Sequence, residues 1–379
     1  MQSIDEKQIR IGNYNILAQS LLSVSLRGNA KKENKKYLTW NFRKKLIEKQ
    51  ISKLNFDVLC IEEFENDSQF VNELNKMGYE IVFRKRPGSN HLEGCAIIYK
   101  ENKFLLEKKF YVEFNISTNS LIYCKQNVAV FALLKSKANE QKILFSCTHL
   151  LFNKNRGDIK LGQIYQVMNI LNMLHKKYDT DKVVLCCDLN SSPNSAVYEF
   201  ITKGEINCSK LKTKTLSGQI LSEFNISTFS KFKESLIRKV SIYENNSNPN
   251  NKEWYDEIIR LKPDINEEKE KIELVEDKDN EGIIELKLKN QFIMSSAYKT
   301  MFDKNNNISL DEDLIGEPQI TYYSKGYAGT FDYIFHSDGL IPIKTEELPG
   351  LKMFTSIHTG IPNKNYPSDH LLLCCDFEI

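Results

Sequence analysis

The sequence is short of the residues that bend or interrupt a chain, and it lacks any long apolar run. It has only 16 glycines and 9 prolines in 379 residues, which argues against long flexible linkers. No run approaches the roughly 18 apolar residues that a membrane-spanning helix needs, so we expect no membrane association. The charged start, MQSIDEKQIR, is followed by no apolar core of the kind found in secretory signal peptides.

Several metal-binding and phosphate-binding patterns are also missing. None of the nine cysteines forms a CxxC pair, and most lie in apolar runs such as VVLCC and LLLCC. This argues against a zinc site or a disulfide framework and favours a reducing, intracellular setting, with the cytoplasm expected and the nucleus as the alternative. The sequence has no GxSxG motif, and the GSNHLEG stretch at 88–94 is not followed by the helix that a phosphate loop requires.

Charge is balanced over the chain but uneven along it. The formal net charge is +2, yet residues 252–285 carry 13 acidic against 6 basic residues. We interpret 244–285 as a charged surface insertion, partly helical or disordered, within a single domain spanning 1–379. Such a segment either solvates the surface or binds a protein partner. The rest of the chain is moderately basic, which suits a ligand that carries phosphate.

Apolar, strand-like runs alternate with amphipathic helical patterns. Helices are predicted over 40–54 and over 158–175, the second with Asp158 as its N-cap. Strands are predicted over 8–17, 57–61, 80–84, 95–99, 126–134, 142–148, 182–187, 330–336 and 370–377. This alternation predicts an α/β layered fold rather than a helix bundle or a pure β-sandwich.

Polar residues follow three of the predicted strands directly. Asp188 and Asn190 leave one strand on the same side, Glu62 and Glu63 end another, and His149 ends a third. Each of these positions alone has an ordinary structural explanation, such as an Asx turn, a solvated acidic pair or a satisfied histidine.

Three more positions have the same character. Asn15 shares a face of the first strand with Asn13, Asp332 lies in an aromatic strand, and Asp369 and His370 precede the last strand. Because α/β folds build their sites at strand ends, we expect these side chains to meet. Carboxylates, amides and imidazoles together form an oxygen-rich set that suits a hard divalent cation better than zinc.

Taken in order, eight short motifs resemble those of the deadenylase-type branch of the endonuclease/exonuclease/phosphatase superfamily. They are NYNILAQ, DVLCIEE, EGCAIIYK, NVAVFALL, THLLFNKNRGDIKLGQ, CCDLNSSPNSAVYEFI, GTFDYIFHS and YPSDHLLL. The fifth motif is similar to that of the Angel proteins within this branch. The resemblance runs from about Ile9 to Phe377, apart from the charged insertion. It implies a four-layer α/β/β/α sandwich, with two packed mixed sheets and the site at one edge.

The resemblance also implies roles for single residues. Glu63 matches the main Mg²⁺ ligand, assisted by Asn15, with Asp369 as a second metal contact; Mn²⁺ is the expected substitute. The implied catalytic set consists of His149, Asp188, Asn190, Asp332 and His370. In this set the DxN pair orients the attacking water and the phosphate, and the THL histidine contacts the phosphate. The remaining carboxylate–imidazole pair lies at the scissile group.

Three positions depart from the family pattern. Glu62 stands where Gln usually precedes the metal-binding Glu, and it adds negative charge there. Glu93 replaces an Asp and so lengthens a side chain expected to face the substrate. Cys187 replaces a Gly, so the backbone there must avoid a positive φ. These changes bear on substrate preference more than on activity.

We therefore expect a Mg²⁺-dependent hydrolase of phosphoester bonds at RNA 3′ ends. The leading hypothesis is a deadenylase-like 3′–5′ exoribonuclease, with preference for poly(A) left open. The alternatives are an Angel-type hydrolase of 2′,3′-cyclic phosphates at RNA ends and an inactive RNA-binding relative. Substrate contacts are predicted at Arg84, Arg86 and Arg156, and base stacking at Tyr323 or its neighbours Tyr322 and Tyr327.

Overall fold

A computed structural model describes residues 7–25, 32–114, 125–207, 211, 214–219, 239–242, 257–262, 274–276, 284–305, 316–324, 327–355 and 360–379. The strands in these ranges are β1 Gln8–Asn15, β2 Val58–Glu65, β3 Tyr79–Lys85, β4 Glu93–Lys100, β5 Phe104–Glu113, β6 Val128–Ser136, β7 Lys142–His149, β8 Val183–Asp188, β9 Glu205–Asn207, β10 Lys239–Ile242, β11 Glu257–Lys262, β12 Leu274–Glu276, β13 Ile284–Lys289, β14 Ser295–Ser296, β15 Tyr322–Ser324, β16 Tyr327–Gly329, β17 Asp332–His336, β18 Ile341–Thr345 and β19 Leu373–Glu378. The helices are α1 Gln19–Ser25, α2 Trp40–Leu54, α3 Ser68–Lys76, α4 Gly157–Lys177, α5 Ala196–Lys203, α6 Ala297–Asn305 and α7 Leu351–Thr355, with a 3₁₀ helix at Lys32–Leu38.

Two mixed sheets form the body of the molecule. Six strands make one sheet in the order β18-β19-β1-β2-β4-β3, and eight make the other in the order β10-β11-β5-β6-β7-β8-β17-β14. In the first sheet β1 runs parallel to β2 and antiparallel to β19. In the second, β7 runs parallel to β8, and β17 runs antiparallel to it.

The strand β8 illustrates why the central strands carry apolar side chains on both faces. Its side chains alternate between faces. Val183 and Leu185 pack in the cluster that contains the side chains of α4 and α5, while Val184 and Cys186 pack in the cluster between the sheets. Both faces of the strand are therefore covered, which removes the polar alternation of a half-exposed strand.

Helices cover the outer faces of both sheets. On the first sheet, Ile47 and Ile51 of α2 pack with Phe70 and Leu74 of α3 against the strands. On the second, α4 and α5 provide the matching layer. Burial of each such side chain contributes roughly 1.5–3 kcal/mol. The result is the four-layer α/β/β/α sandwich that the resemblance implied, so the α/β prediction is confirmed.

All nine predicted strands and both predicted helices are present, with ends displaced by a few residues. The strand β5 was not predicted, because Glu107, Lys108 and Lys109 interrupt its apolar pattern and its pairing shifts beside them. Among the described residues, no helix has the length and apolar character needed to span a bilayer.

One local prediction is wrong. The N-cap of α4 is Arg156, and Asp158 lies inside the first turn, where its carboxylate accepts hydrogen bonds from Arg156 at 3.0 and 2.8 Å. The described parts of the 244–285 segment are strands, and β11 pairs with β5 in the eight-stranded sheet; that the segment is a charged surface insertion stays a prediction. The remaining residues of that segment lie outside the described ranges.

Candidate active site

The candidate site lies where the carboxyl ends of β1, β2, β7 and β8 meet the amino ends of β17 and β19. Strand register brings the groups together: Asp188 at the end of β8 pairs with His149 on one side and with Asp332 on the other. The residues predicted for catalysis and metal binding gather at this edge: Asn15, Glu63, His149, Asp188, Asn190, Asp332, Asp369 and His370.

A β-bulge aims Glu63 into the site. The pairing of β2 with β4 shifts between Glu62 and Phe64, and Glu63 adopts a left-handed backbone with φ +56°. Such a bulge breaks the alternation of side chains and re-aims one of them, and the unfavourable φ is of a kind that clusters at functional sites. Glu63 Oε2 accepts from the backbone N–H of Ala18 at 2.8 Å. Burial raises the pKa of Glu63.

Asn15 joins the two carboxylates that end β2 and β8. Its Nδ2 donates to Glu63 Oε1 at 3.2 Å and to Asp188 Oδ2 at 3.0 Å. Its Oδ1 accepts from the N–H of Leu17 at 3.0 Å. The amide therefore spans the gap between the two sheets and fixes the separation of these acids.

His149 and Asn190 form a second polar pair. Asn190 donates from Nδ2 to His149 Nε2 at 2.9 Å and to the Leu150 carbonyl at 3.1 Å. Because the Asn190 amide nitrogen donates this bond, His149 Nε2 is the acceptor. The ring proton of the neutral His149 is then on Nδ1, which lies 3.9 Å from Glu63 Oε1. Burial lowers the pKa of His149 to about 4, so this imidazole is neutral at physiological pH.

The pair formed by Asp332 and His370 has the opposite electrostatic character. His370 Nδ1 lies 3.0 and 2.9 Å from the two Asp332 oxygens, and Nε2 lies 3.8 Å from Asp188 Oδ2. Burial disfavours the charged imidazolium, but the attraction and hydrogen bond of Asp332 outweigh it and raise the pKa of His370 well above its usual value. Thr321 Oγ1 donates to Asp332 Oδ2 at 2.5 Å and so orients the carboxylate.

The oxygen ligands needed by a hard cation are present. Asp369 Oδ1 is buried and has no hydrogen-bond partner among the described residues. Burial raises the pKa of Asp369, and its charge is close enough to raise the pKa of Glu63 further. Two desolvated carboxylates, one with a free oxygen, fit Mg²⁺ or Mn²⁺.

A second group of potential ligand atoms comes from Asp188, Asp332 and His370, and these atoms lie within 4.8 Å of one another. Asp332 and His370 of this group already bond to each other through His370 Nδ1.

Two of the arginines predicted to bind RNA phosphates are held by acids. Arg84 is paired with Glu113 through two hydrogen bonds. Arg156 is paired with Asp158 through two more. Both guanidinium groups are thus partly neutralised, and their roles in RNA binding stay predictions.

Arg86 lies nearer the site. It donates to Glu93 Oε1 and to the Gln126 carbonyl, both at 2.8 Å, and its charge helps to lower the pKa of His149. Glu93 is buried rather than open to a ligand. Its carboxylate also contacts His91 Nδ1 at 3.2 Å. The longer acid at this position therefore ties together the ends of the 86–93 loop.

The three tyrosines predicted to stack a base occupy different environments. The Tyr323 ring packs on Phe354 with a centroid separation of 5.4 Å, while the Tyr322 ring lies 4.8 Å from that of His370. Tyr327 is the most exposed of the three, at 41%. Tyr327 therefore offers the most accessible ring, and base stacking on any of them stays a prediction.

The structure accommodates the other two departures from the family pattern, Glu62 and Cys187. Glu62 lies between the sheets, where Cys147 Sγ is 3.5 Å from its Oε1, and burial raises its pKa well above the usual value. The expected extra negative charge is thereby disfavoured. Cys187 lies within β8 without a positive φ, as expected, and the left-handed residue of this region is Asn190, with φ +46°.

Some supporting residues were not found from the sequence. Asn127 donates from Nδ2 to the His149 carbonyl at 2.9 Å. Ser368 Oγ donates to the Asn15 carbonyl at 2.7 Å. Thr321, which orients the Asp332 carboxylate, is a third supporting residue of this kind. Each acts through another residue from a different strand, and short polar side chains in loops carry no pattern that identifies such contacts.

The family model described as "Endonuclease/Exonuclease/phosphatase family" matches residues 12–135. The chain is 30% identical over 343 residues to carbon catabolite repressor protein 4 homolog 3 of Arabidopsis thaliana, covering 90% of this chain and 68% of that protein. The chain therefore belongs to the endonuclease/exonuclease/phosphatase family.

Within that family the chain is Angel-like. It is 29% identical over 398 residues to protein angel homolog 2 of Homo sapiens, covering 97% of this chain and 68% of that protein. A crystal structure of ANGEL2, titled a 2′,3′-cyclic phosphatase in complex with adenosine-2′,3′-vanadate, matches with a TM-score of 0.74 and 27% identity. The match covers 98% of this chain and 95% of that chain. The human Nocturnin catalytic domain shares the fold, with a TM-score of 0.58 and 20% identity.

Proposed function

We propose that the chain is a divalent-cation-dependent hydrolase of phosphoester bonds at RNA 3′ ends, and that its substrate is a terminal 2′,3′-cyclic phosphate. The observation that carries the hydrolase proposal is the arrangement of the neutral His149–Asn190 pair and the Asp332–His370 pair on either side of Asp188. The likeness to a structure titled a 2′,3′-cyclic phosphatase supports the choice of RNA end.

The cation site proposed here uses the buried acids beside Asn15. Glu63, with Asp369 within electrostatic range, would hold Mg²⁺ or Mn²⁺, which when bound draws charge from a phosphoryl oxygen.

In this proposal the protein's own side chains activate the water and stabilise the charge on the phosphate. Asp188 Oδ2 lies 3.4 Å from His149 Nε2 and 3.8 Å from His370 Nε2, so it reaches a water beside a phosphate held between the two imidazoles. In this scheme Asp188 orients that water and accepts its proton as the oxygen attacks phosphorus. His370, kept protonated by Asp332, donates from Nε2 to the phosphate as negative charge gathers there. The bond from phosphorus to one ribose oxygen breaks, that oxygen takes the proton from His370 Nε2 to become a hydroxyl, and a phosphomonoester remains.

A 3′–5′ exoribonuclease, the leading hypothesis from the sequence, is the second candidate. The same water and acids would cleave the last internucleotide bond. The exposed ring of Tyr327, stacked on Phe331 with 5.8 Å between centroids, would support the adjacent base in that reaction. Inactivity is the hypothesis that this site favours least, because every predicted acid, amide and imidazole is present.

The two reactions are separated by two 5′-labelled RNAs of one sequence, one ending in a 2′,3′-cyclic phosphate and the other in a 3′-hydroxyl. With Mg²⁺ or Mn²⁺, we expect the first RNA to gain a terminal monophosphate that alkaline phosphatase removes, and the second to stay intact. A ladder of shortened products would instead establish the exoribonuclease. Oligo(A) and oligo(U) versions test base preference.

Two variants control this assay. Asp188→Asn is expected to remove activity, while Asp303→Asn, which alters an exposed i,i+4 pair with Lys299, leaves it unchanged. If the wild-type chain left both RNAs intact with either metal, both hydrolase proposals would be wrong.

A further inference from the structure

A lysine is buried in the second helix layer beside the site. Lys160, in the first turns of α4, has no exposed surface. Its Nζ donates to the Asn190 carbonyl at 2.6 Å and to Gln219 Oε1 at 2.7 Å. Both acceptors are neutral, and burying an ammonium group is costly, which is why burial lowers the pKa of Lys160 to about 7. An apolar side chain would fill this place at lower cost, so the polar contacts need a functional explanation.

The first contact fixes the peptide of a proposed catalytic residue. Asn190 is held in a left-handed conformation, and its N–H donates to Asp188 Oδ1 at 2.9 Å. With the carbonyl bound to Lys160, both sides of the residue are anchored. The direction of its side chain toward His149 follows from that backbone geometry.

The second contact extends to the ring that is open to substrate. Gln219 belongs to the segment 214–219, which is attached to the loop after β8 by the bond from Ser192 N–H to the Ser217 carbonyl at 2.9 Å. Gln219 also lies beside the Tyr327 phenol and lowers the pKa of Tyr327, against the larger raising effect of burial. One lysine thus connects the DxN asparagine with Tyr327.

We propose that Lys160 is a positioning residue that, through Gln219, sets Tyr327 against the terminal base of the substrate while holding Asn190 toward the phosphate. This inference rests on the proposed function, since it assigns Tyr327 to a base and Asn190 to the reacting group. It predicts that base recognition and turnover share one support in the protein.

The test compares RNAs that end in a 2′,3′-cyclic phosphate, with or without a base on the terminal ribose. In the wild-type chain, the base is expected to raise kcat/KM, because stacking on an aromatic ring is worth about 1–3 kcal/mol, or roughly 5- to 150-fold. Lys160→Met keeps an unbranched chain that is one atom shorter and removes its donors. We expect it to reduce this ratio toward one and to lower kcat on both RNAs by ~10- to 100-fold, as misplacement of a catalytic group does.

Gln219→Leu separates the two effects. It is expected to reduce the base-dependent ratio as Lys160→Met does, while slowing the RNA without the terminal base less. The double variant should lower the ratio no further than Lys160→Met alone, because both changes remove the same connection. Lys44→Met is the matched control: Lys44 is also buried, and it donates to a glutamine oxygen, Gln69 Oε1, at 2.8 Å. It should leave kcat and the ratio unchanged.

Failure of the positioning role and failure of the proposed function give different results. If the wild-type chain hydrolyses neither RNA, the proposed function is wrong. If the wild-type chain is active and a folded Lys160→Met variant keeps the wild-type kcat and base ratio, the positioning role is wrong. The same holds if Lys160→Met and Gln219→Leu lower only the melting temperature, since a purely structural lysine would not change the ratio.

Discussion

His370 Nδ1 faces both oxygens of Asp332, at 3.0 and 2.9 Å, and this leaves Nε2 pointing toward Asp188. The pair therefore has a fixed direction: one ring nitrogen is bound to a buried carboxylate, and the other faces the centre of the site. Asp332 also sets the charge of the ring, because it raises the pKa of His370 against the opposing effect of burial. Orientation and protonation of this imidazole thus depend on one residue.

Replacing Asp332 by Asn should therefore change the pH dependence of activity as well as its size. The pKa of His370 falls in Asp332→Asn, so the imidazolium is lost at a lower pH and the basic limb of the kcat/KM profile moves to lower pH. We expect kcat to fall by ~10²–10⁴, the range seen when a carboxylate that orients a catalytic histidine is neutralised. Asp338→Asn, an exposed acid near the end of β17, is the control. A variant profile of unchanged shape would contradict the assigned role of the pair.

The sequence predicted the strand ends well and their connections poorly. His149, Asp188 and Asp332 were found because each ends or begins an apolar strand, and strand register alone then makes them neighbours. The direction of the Glu63 side chain was not predictable in the same way. It depends on a bulge opposite β4 that leaves no pattern in VLCIEEFE.

Lys160 carries a sequence signal for a buried polar contact. It lies between Ile159 and Leu161 in a helix whose first turns are buried almost all round. A lysine in such a run must find acceptors. Which acceptors it finds, Asn190 and Gln219, depends on chain segments 30 and 59 residues away, and no local pattern encodes that.

Glu62→Gln is expected to stabilise the protein at neutral pH. The folded state raises the pKa of Glu62 mainly through burial. Above the unfolded pKa of about 4.3, ionisation stabilises the unfolded chain more than the folded one, so the glutamate costs stability as pH rises. The neutral amide removes this cost. The melting temperature of Glu62→Gln should exceed that of the wild type at pH 8, and the two should converge near pH 4. Glu80→Gln, at an exposed position, should show no such trend.

Titration of His149 should be a main cause of the fall in the free energy of unfolding at acidic pH. Its pKa falls from about 6.5 in the unfolded chain to about 4 in the folded one. Protonation therefore favours the unfolded state as pH drops through that window, with a loss of about 3 kcal/mol at most. In His149→Gln, the free energy of unfolding measured with urea in the presence of a chelator should depend less on pH between 6.5 and 4. His175→Gln, at a half-buried position in the last turn of α4 where burial also lowers the pKa, is the comparison and should change the pH dependence less. Parallel curves for wild type and His149→Gln would show that this histidine is not buried in its neutral form.

Glu63→Gln should have opposite effects on stability with and without the cation. Without metal, the buried Glu63 carboxylate is destabilising at neutral pH, because burial and the charge of Asp369 raise its pKa above the unfolded value. The amide should therefore raise the melting temperature of the metal-free protein. With Mg²⁺ at 100 times its Kd, the wild type gains about 2.7 kcal/mol from binding, and the variant should gain almost none of this.

Glu65→Gln provides a close comparison, because Glu65 lies two residues further along β2 and also accepts a backbone N–H, from Ser20 at 2.9 Å. It should keep the wild-type response to Mg²⁺. If Glu63→Gln kept that response as well, the cation would bind elsewhere, and the group formed by Asp188, Asp332 and His370 would be the next place to examine. Melting curves of the three proteins with and without Mg²⁺ decide between these sites independently of any RNA substrate.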